Sequence, residues 1–140
     1  MKKVLYSLLI VCLSYGSSLK YEKSINIVTD NEKKLIWQDN SEVVEYLETF
    51  HSAKIYCELL VLNGYIDWRV PDIKEIRDIL DVGEKRSINQ KFQYVNPNIY
   101  ITKTTFKNDD TFTWAVNFQD GKILTVEKSI KNHIRCVRDI

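Results

Sequence analysis

The run Asp67-Trp68-Arg69-Val70-Pro71-Asp72-Ile73-Lys74-Glu75-Ile76 constrains this chain most. Pro71 pushes Val70 out of the helical region, so the backbone before it is extended. Asp72 and Glu75 have capping-box spacing, each side chain able to accept the other's backbone N–H. Ile73, Ile76 and Leu80 share one helical face. An extended segment therefore turns abruptly into a helix, which is expected to end near Asp81-Val82-Gly83. Trp68 reads as a buried ring, and Arg69 as the partner of a carboxylate such as Asp67 or Glu75.

A second helix is expected upstream. Phe50, Ala53, Cys57 and Leu60 recur at helical spacing as one apolar stripe. Thr49 suits its N-cap, and Asn63-Gly64 its end, with Gly64 left-handed. Glu42 to Thr49 fits strand or helix. Strands are expected where Ile25 and Ile27 alternate with polar residues, over Lys34 to Gln38, and over Ile99 to Phe106. Phe112, Trp114, Val116 and Phe118 alternate strictly, predicting a strand with one large apolar face. Asp120-Gly121 is a hairpin turn, Lys122 to Val126 returns, and Ile134 to Val137 closes the sheet. Trp37 and Trp114 are expected in the core. Glu84 to Asn98 reads as a long loop anchored by Phe92, Tyr94 and Val95.

The 140 residues suit one domain, 19–140, behind a leader, 1–18. Lys2 and Lys3 precede the apolar run Val4 to Leu13, too short to span a bilayer, and Ser14-Tyr15-Gly16 or Gly16-Ser17-Ser18 offers small residues for cleavage. Export is therefore expected, to the periplasm or cell surface, with no transmembrane segment after cleavage; the alternatives are a retained anchor, or a lipoprotein at Cys12, where Val11 is bulky for the small residue usual before such a cysteine. Removing the leader takes Lys2 and Lys3 and no acid, so the net charge of +1 becomes −1. That argues against a nucleic-acid binder. The charge is nevertheless segregated: six acids lie between Asp30 and Glu48, and five bases between Lys122 and Asp139. If Cys12 departs with the leader, Cys57 and Cys136 are the one intrachain pair available in an oxidising compartment. The alternatives are two buried free thiols, or Cys57 as a nucleophile, which requires a nearby base. His51, six residues before Cys57, points to another helical face.

Five fragments in fixed order carry a family resemblance: Leu35-x-Trp37-Gln38, Ala53-x-x-Tyr56-Cys57-x-x-Leu60, Asp67-Trp68-Arg69-x-Pro71-x-Ile73-Lys74-Glu75, Trp114-Ala115-Val116-x-Phe118 and Arg135-Cys136-Val137-Arg138. Together, over roughly residues 28 to 138, they resemble the C-terminal domain family of Legionella collagen-like (Lcl) adhesins. The chain departs from that pattern in having Val70 where Leu is usual, and Tyr100-Ile101-Thr102-Lys103-Thr104 where the family has Tyr-Trp-Ser-Ser-Thr. It has no collagen-like stalk. The resemblance implies an α+β, C-type lectin-like fold, with two helices packed on a small mixed or antiparallel sheet with long loops. It also implies one disulfide, from the first-helix Cys57 to the last-strand Cys136. The lectins' calcium motifs are absent here, and Asn108-Asp109-Asp110 reads as a polar turn.

On this reading Trp37, Trp68, Arg69, Pro71, Glu75 and Trp114 form the structural motif. The resemblance implies a non-catalytic binding module for an anionic or sulfated polysaccharide, an adhesin-like role, with no metal and no cofactor. Its expected face comprises Lys103, Lys107, Lys122, Lys128, Lys131 and Arg138. The alternatives are a protein-interaction subunit of a bacterial envelope assembly, or a cysteine-dependent enzyme of the kind the C-type lectin-like fold also hosts.

Overall fold

The computed structural model describes residues 19–140; the expected leader, with Cys12, lies outside the described residues. The elements in chain order are β1 (Tyr21–Ser24), β2 (Ile27–Asp30), β3 (Leu35–Gln38), α1 (Glu42–Glu45), β4 (Leu47–Glu48), α2 (Phe50–Leu59) and α3 (Ile73–Asp78). They continue with β5 (Ile99–Thr105), β6 (Phe112–Asn117), β7 (Ile123–Glu127), β8 (Asn132–His133) and β9 (Val137–Asp139). The fold is α+β. One antiparallel sheet runs β1-β2-β3-β9, and a mixed sheet runs β4-β8-β5-β6-β7, with β8 parallel to β5.

The chain starts as a hairpin. Asn26, at φ +66°, makes the turn and leaves Ile25 exposed, so the expected single strand through Ile25 and Ile27 is two strands. Thr49 caps α2, and its backbone N–H donates to Ser52 Oγ at 2.9 Å. Ala53 and Cys57 are buried, whereas Phe50 and Leu60 are only half-buried at the helix ends. Asn63 and Gly64 do not end this helix. Both have positive φ and form the two-residue turn of the Leu62–Tyr65 bridge, a geometry that favours this dipeptide. The helix stops at Leu59 because Leu60 turns extended.

The Trp-Arg-Val-Pro run links the sheets. Arg69 pairs with Val137 through both backbone groups, each bond 2.8 Å, and Lys103 N–H donates to the Pro71 carbonyl at 2.9 Å. Trp68 is buried, and its indole N–H donates to Tyr65 O. The Asp72–Glu75 capping box forms. Glu75 also receives both Arg69 amino groups at 2.7 Å, so Glu75 rather than Asp67 is the partner of Arg69. The helix is shorter than expected, ending at Asp78; its next turn gives way to the Leu80–Ile88 bridge. The long loop beyond lies on the core through Phe92, Val95 and Ile88, with Tyr94 half-buried.

Two further expectations change. Ile134 to Cys136 is not strand: it crosses from the mixed sheet to the antiparallel one, and pairing resumes at Val137. Trp37 is fully buried, but Trp114 is only half-buried, edge-on to Phe106 at 5.4 Å. The apolar face of β6 meets the core only at Val116 and Phe118, while Thr113 and Ala115 on the other face are fully buried. Thr113 satisfies its hydroxyl by donating to Thr102 O at 2.7 Å.

The crossing segment carries the two strongest constraints. Cys136 is bonded to Cys57, with Cα atoms 5.6 Å apart and 79 residues of separation. Arg135 is completely buried. It donates to Gln38 O at 2.6 Å, to Tyr94 O, and to Asp39 Oδ1 at 3.2 Å, with Phe92 and Tyr100 rings beside its guanidinium. Asp39, also fully buried, accepts from Lys23 Nζ, Gln93 N and Tyr94 N as well. Burial alone would raise the Asp39 carboxyl; Arg135, Lys23 and the two backbone N–H groups outweigh it and hold the carboxyl below its ordinary value.

Three outcomes follow for stability. Replacing Arg135 by Met strands the Asp39 charge and should lower urea-measured stability by about 3–5 kcal/mol. The depressed Asp39 pKa makes its contribution complete above the unfolded value, about 3.9, and lost as pH falls through the lower folded value. Asp39→Asn should therefore flatten the acid limb of the stability–pH curve; an unchanged limb would refute that assignment. Reducing the Cys57–Cys136 bridge should cost about 4 kcal/mol if loop closure dominates, read as a fall in Tm with dithiothreitol.

Candidate functional site

A hollow with a largely apolar lining lies between α2 and β5. Its cavity is about 360 Å³, lined by Phe50, Lys54, Glu58, Arg69, Val70 and Lys103. Local sequence explains each wall. Phe50 and Lys54 are successive turns of α2, with Glu58 one turn further on the same face. Val70 is held against the floor because Pro71 fixes its extended conformation and Lys103 N–H binds the Pro71 carbonyl. Lys103 points outward from β5, and its side chain is exposed.

The charges around this hollow are unequally engaged. Lys54 Nζ and Glu58 Oε1 are 3.9 Å apart on exposed side chains, a pair of the weak surface kind. Arg69 is held by Glu75, and by Asp139 at 3.1 Å. The Glu75 hydrogen bonds raise the Arg69 pKa further, so it is cationic at any physiological pH. The Lys103 ammonium has no hydrogen-bond or ion-pair partner among the described residues; only the backbone N–H of this residue is bonded, to Pro71 O. Lys128 stands at the margin, its ammonium 4.3 Å from the Phe50 ring centroid and donating to Thr105 Oγ1 at 2.9 Å.

Of the residues expected to form a basic face, the fold brings Lys103 into the hollow that Phe50 lines and Lys128 over the Phe50 ring. Lys107 lies in the β5–β6 turn at the same end of the mixed sheet, where Lys128 N–H donates to Thr111 O. Asp109 and Asp110 share that turn. Lys131 is exposed in the link between β7 and β8. Lys122 precedes β7 at its far end, roughly 20 Å of strand from Lys128, and stands 3.9 Å from Asp120. Arg138 belongs to the other sheet. It donates to Ile66 O at 2.9 Å and stacks on Tyr65, so its guanidinium is already occupied. Lys54 and Arg69 join Lys103 at the hollow although neither was expected on a binding face. The i, i+4 spacing of Phe50 and Lys54 placed them together in the sequence, but nothing local tied that face to β5.

Among the described residues no group of three or more His, Cys, Asp or Glu side chains is placed to hold a metal ion. The thiols that a cysteine-dependent reaction would use are joined in the disulfide. His133 is buried and stacked on Tyr100 at 5.2 Å, and burial lowers its pKa. No described helix is long and apolar enough to cross a membrane.

Exchanging Lys for Arg69 should test how the rim is fixed. A lysine cannot reproduce the two-pronged contact with Glu75. Arg69→Lys should lower stability by about 1 kcal/mol in urea denaturation; no loss would mean that the pair contributes nothing.

No curated protein matches the chain. The family model described as the Lcl C-terminal domain matches residues 26–138, which takes in every element from β2 to the middle of β9. The chain belongs to the Lcl C-terminal domain family.

Proposed function

We propose that the protein is an exported, non-catalytic binding module that recognises an anionic polysaccharide without calcium. The observation that carries this reading is the convergence of Lys54, Lys103 and Lys128 around Phe50 at one end of the mixed sheet, with Lys107 beyond them. A row of ammonium groups on long, rotatable stems suits a flexible polyanion, whose charges need no fixed geometry. Membership of the Lcl C-terminal domain family is compatible with such a module. The disulfide accords with an oxidising compartment, and the basic-apolar-small pattern of residues 1 to 18 with export. The adhesin-like role and the kinship with C-type lectin-like folds are part of this same proposal.

A protein partner is the second reading, favoured by one observation. Leu59, Val61 and Ile66 are 75%, 67% and 57% exposed at the far end of α2 and the turn after it. Clustered exposed apolar groups of this kind mark protein-binding surfaces.

Chromatography of the oxidised mature protein on immobilised heparin and on a neutral dextran tests the proposal. Retention on heparin alone, abolished by moderate salt and weakened by Lys103→Glu with Lys128→Glu, is expected. Equal behaviour on both matrices would overturn it. Retention then restored by an envelope protein extract but lost in Leu59→Ser with Val61→Ser would favour the second reading.

A further inference from the structure

We propose that the hollow between α2 and β5 is a site for a small amphipathic anion: an aryl or short acyl body with one carboxylate or sulfate head. This goes beyond polysaccharide recognition, because a polyanion needs only the outer ammonium groups and leaves the floor unused. The floor is apolar. Phe50 and Val70 supply it, and the aliphatic stems of Lys54, Lys103 and Arg69 extend it up the walls. Sugar hydroxyls would find few partners there, whereas an aromatic ring or a short alkyl chain would lose water on both sides. A volume of about 360 Å³ lies near the lower end of the range for ligand pockets, so it takes one such body and not a chain of rings.

The head group follows from the charges. Glu58, the one acid in the lining, is faced by Lys54. Arg69 is committed to Glu75 and Asp139 and fixes the rim without being free to leave it. The ammonium of Lys103 is the remaining cation, and it has no partner among the described residues. An anion placed over the Phe50–Val70 floor would receive a charge-assisted hydrogen bond from it. A neutral ligand would gain only burial, and a cation would be repelled. Two sources share this chemistry: a free small acid, and the C-terminal carboxylate of a peptide that ends in a large apolar residue.

The test is titration of the ¹⁵N-labelled, oxidised mature protein by nuclear magnetic resonance with 4-phenylbutyrate and its neutral amide. The acid should shift the amide signals of Phe50, Val70 and Lys103, and bind about ten-fold more tightly than the amide. Lys103→Met and Lys103→Glu should each abolish that preference while leaving Tm unchanged, since the side chain bonds to nothing among the described residues. A third titration with acetyl-Ala-Ala-Phe, free or amidated at its C-terminus, separates the sources. Tighter binding of the free-acid peptide than of 4-phenylbutyrate assigns a peptide terminus, and weaker binding a free acid. No saturable shift with either phenylbutyrate ligand, equal affinity for acid and amide, or a preference that survives Lys103→Glu would overturn the proposal. Lys107→Glu lies outside the hollow and should weaken heparin retention alone. Failure on heparin with intact 4-phenylbutyrate binding would therefore remove only the polysaccharide reading.

Discussion

The buried pair of Asp39 and Arg135 is the interaction on which the architecture turns. Neither charge reaches solvent. Such a pair is costly unless well-placed groups meet the remaining donors and acceptors. Here such groups come from four segments: Lys23 of β1, the end of β3 at Gln38, the loop at Phe92, Gln93 and Tyr94, and the Tyr100 ring of β5; the Arg135 Nε–H alone of its guanidinium nitrogens has no hydrogen-bond partner among the described residues. The long loop of residues 84–98 has almost no regular structure of its own. Two of its backbone N–H groups and one carbonyl are consumed by this pair, which explains how an irregular segment can lie against the core. The antiparallel sheet, the loop and the crossing segment are thus registered against one another by polar geometry, where apolar packing alone would permit sliding.

Around that centre, the Trp-Arg-Val-Pro run acts as a strap. Its backbone pairs with β9 at Arg69 and with β5 at Pro71, so the two sheets are joined through three residues. Glu75 serves two purposes, accepting the Asp72 N–H of the capping box and both amino groups of Arg69. The helix start, the strap and the rim of the hollow consequently share one carboxylate. A ligand seated on Val70 would touch a floor that the same few bonds keep rigid, which is the condition for selective binding of a small group.

Much of this was legible in the sequence, and the limits of that legibility have physical causes. Local signals held: Pro71 fixed the extended entry, Asp72 and Glu75 capped α3, and Thr49 capped α2; the Cys57–Cys136 bond, 79 residues apart, is the pairing that the family resemblance implied. Signals with two meanings misled. Asn63-Gly64 suits a helix terminus and a tight hairpin turn equally, and tertiary pairing of Leu62 with Tyr65 decided for the turn. Alternation along β6 identified the strand but not which half of its aromatic face meets the core. Arg135 looked like any basic residue near a C-terminus. Its burial depends on Asp39, which is 96 residues away, and no local pattern encodes such a partner. The hollow shares that character: Phe50 and Lys54 were visible as neighbours, but their meeting with Lys103 is a consequence of topology.

The Cys57–Cys136 bond also defines what a broken chain would do. It spans the whole stretch from the end of α2 to the crossing segment, and so encloses the exposed basic pair Lys85-Arg86 in the long loop. A trypsin-like protease cutting there would divide the chain, yet both pieces would remain one covalent molecule. Each piece also contributes strands to the same sheets, β3 beside β9 and β4 beside β8. A nicked domain would thus keep its two pieces tied both by the bond and by the hydrogen-bonded ladders of both sheets.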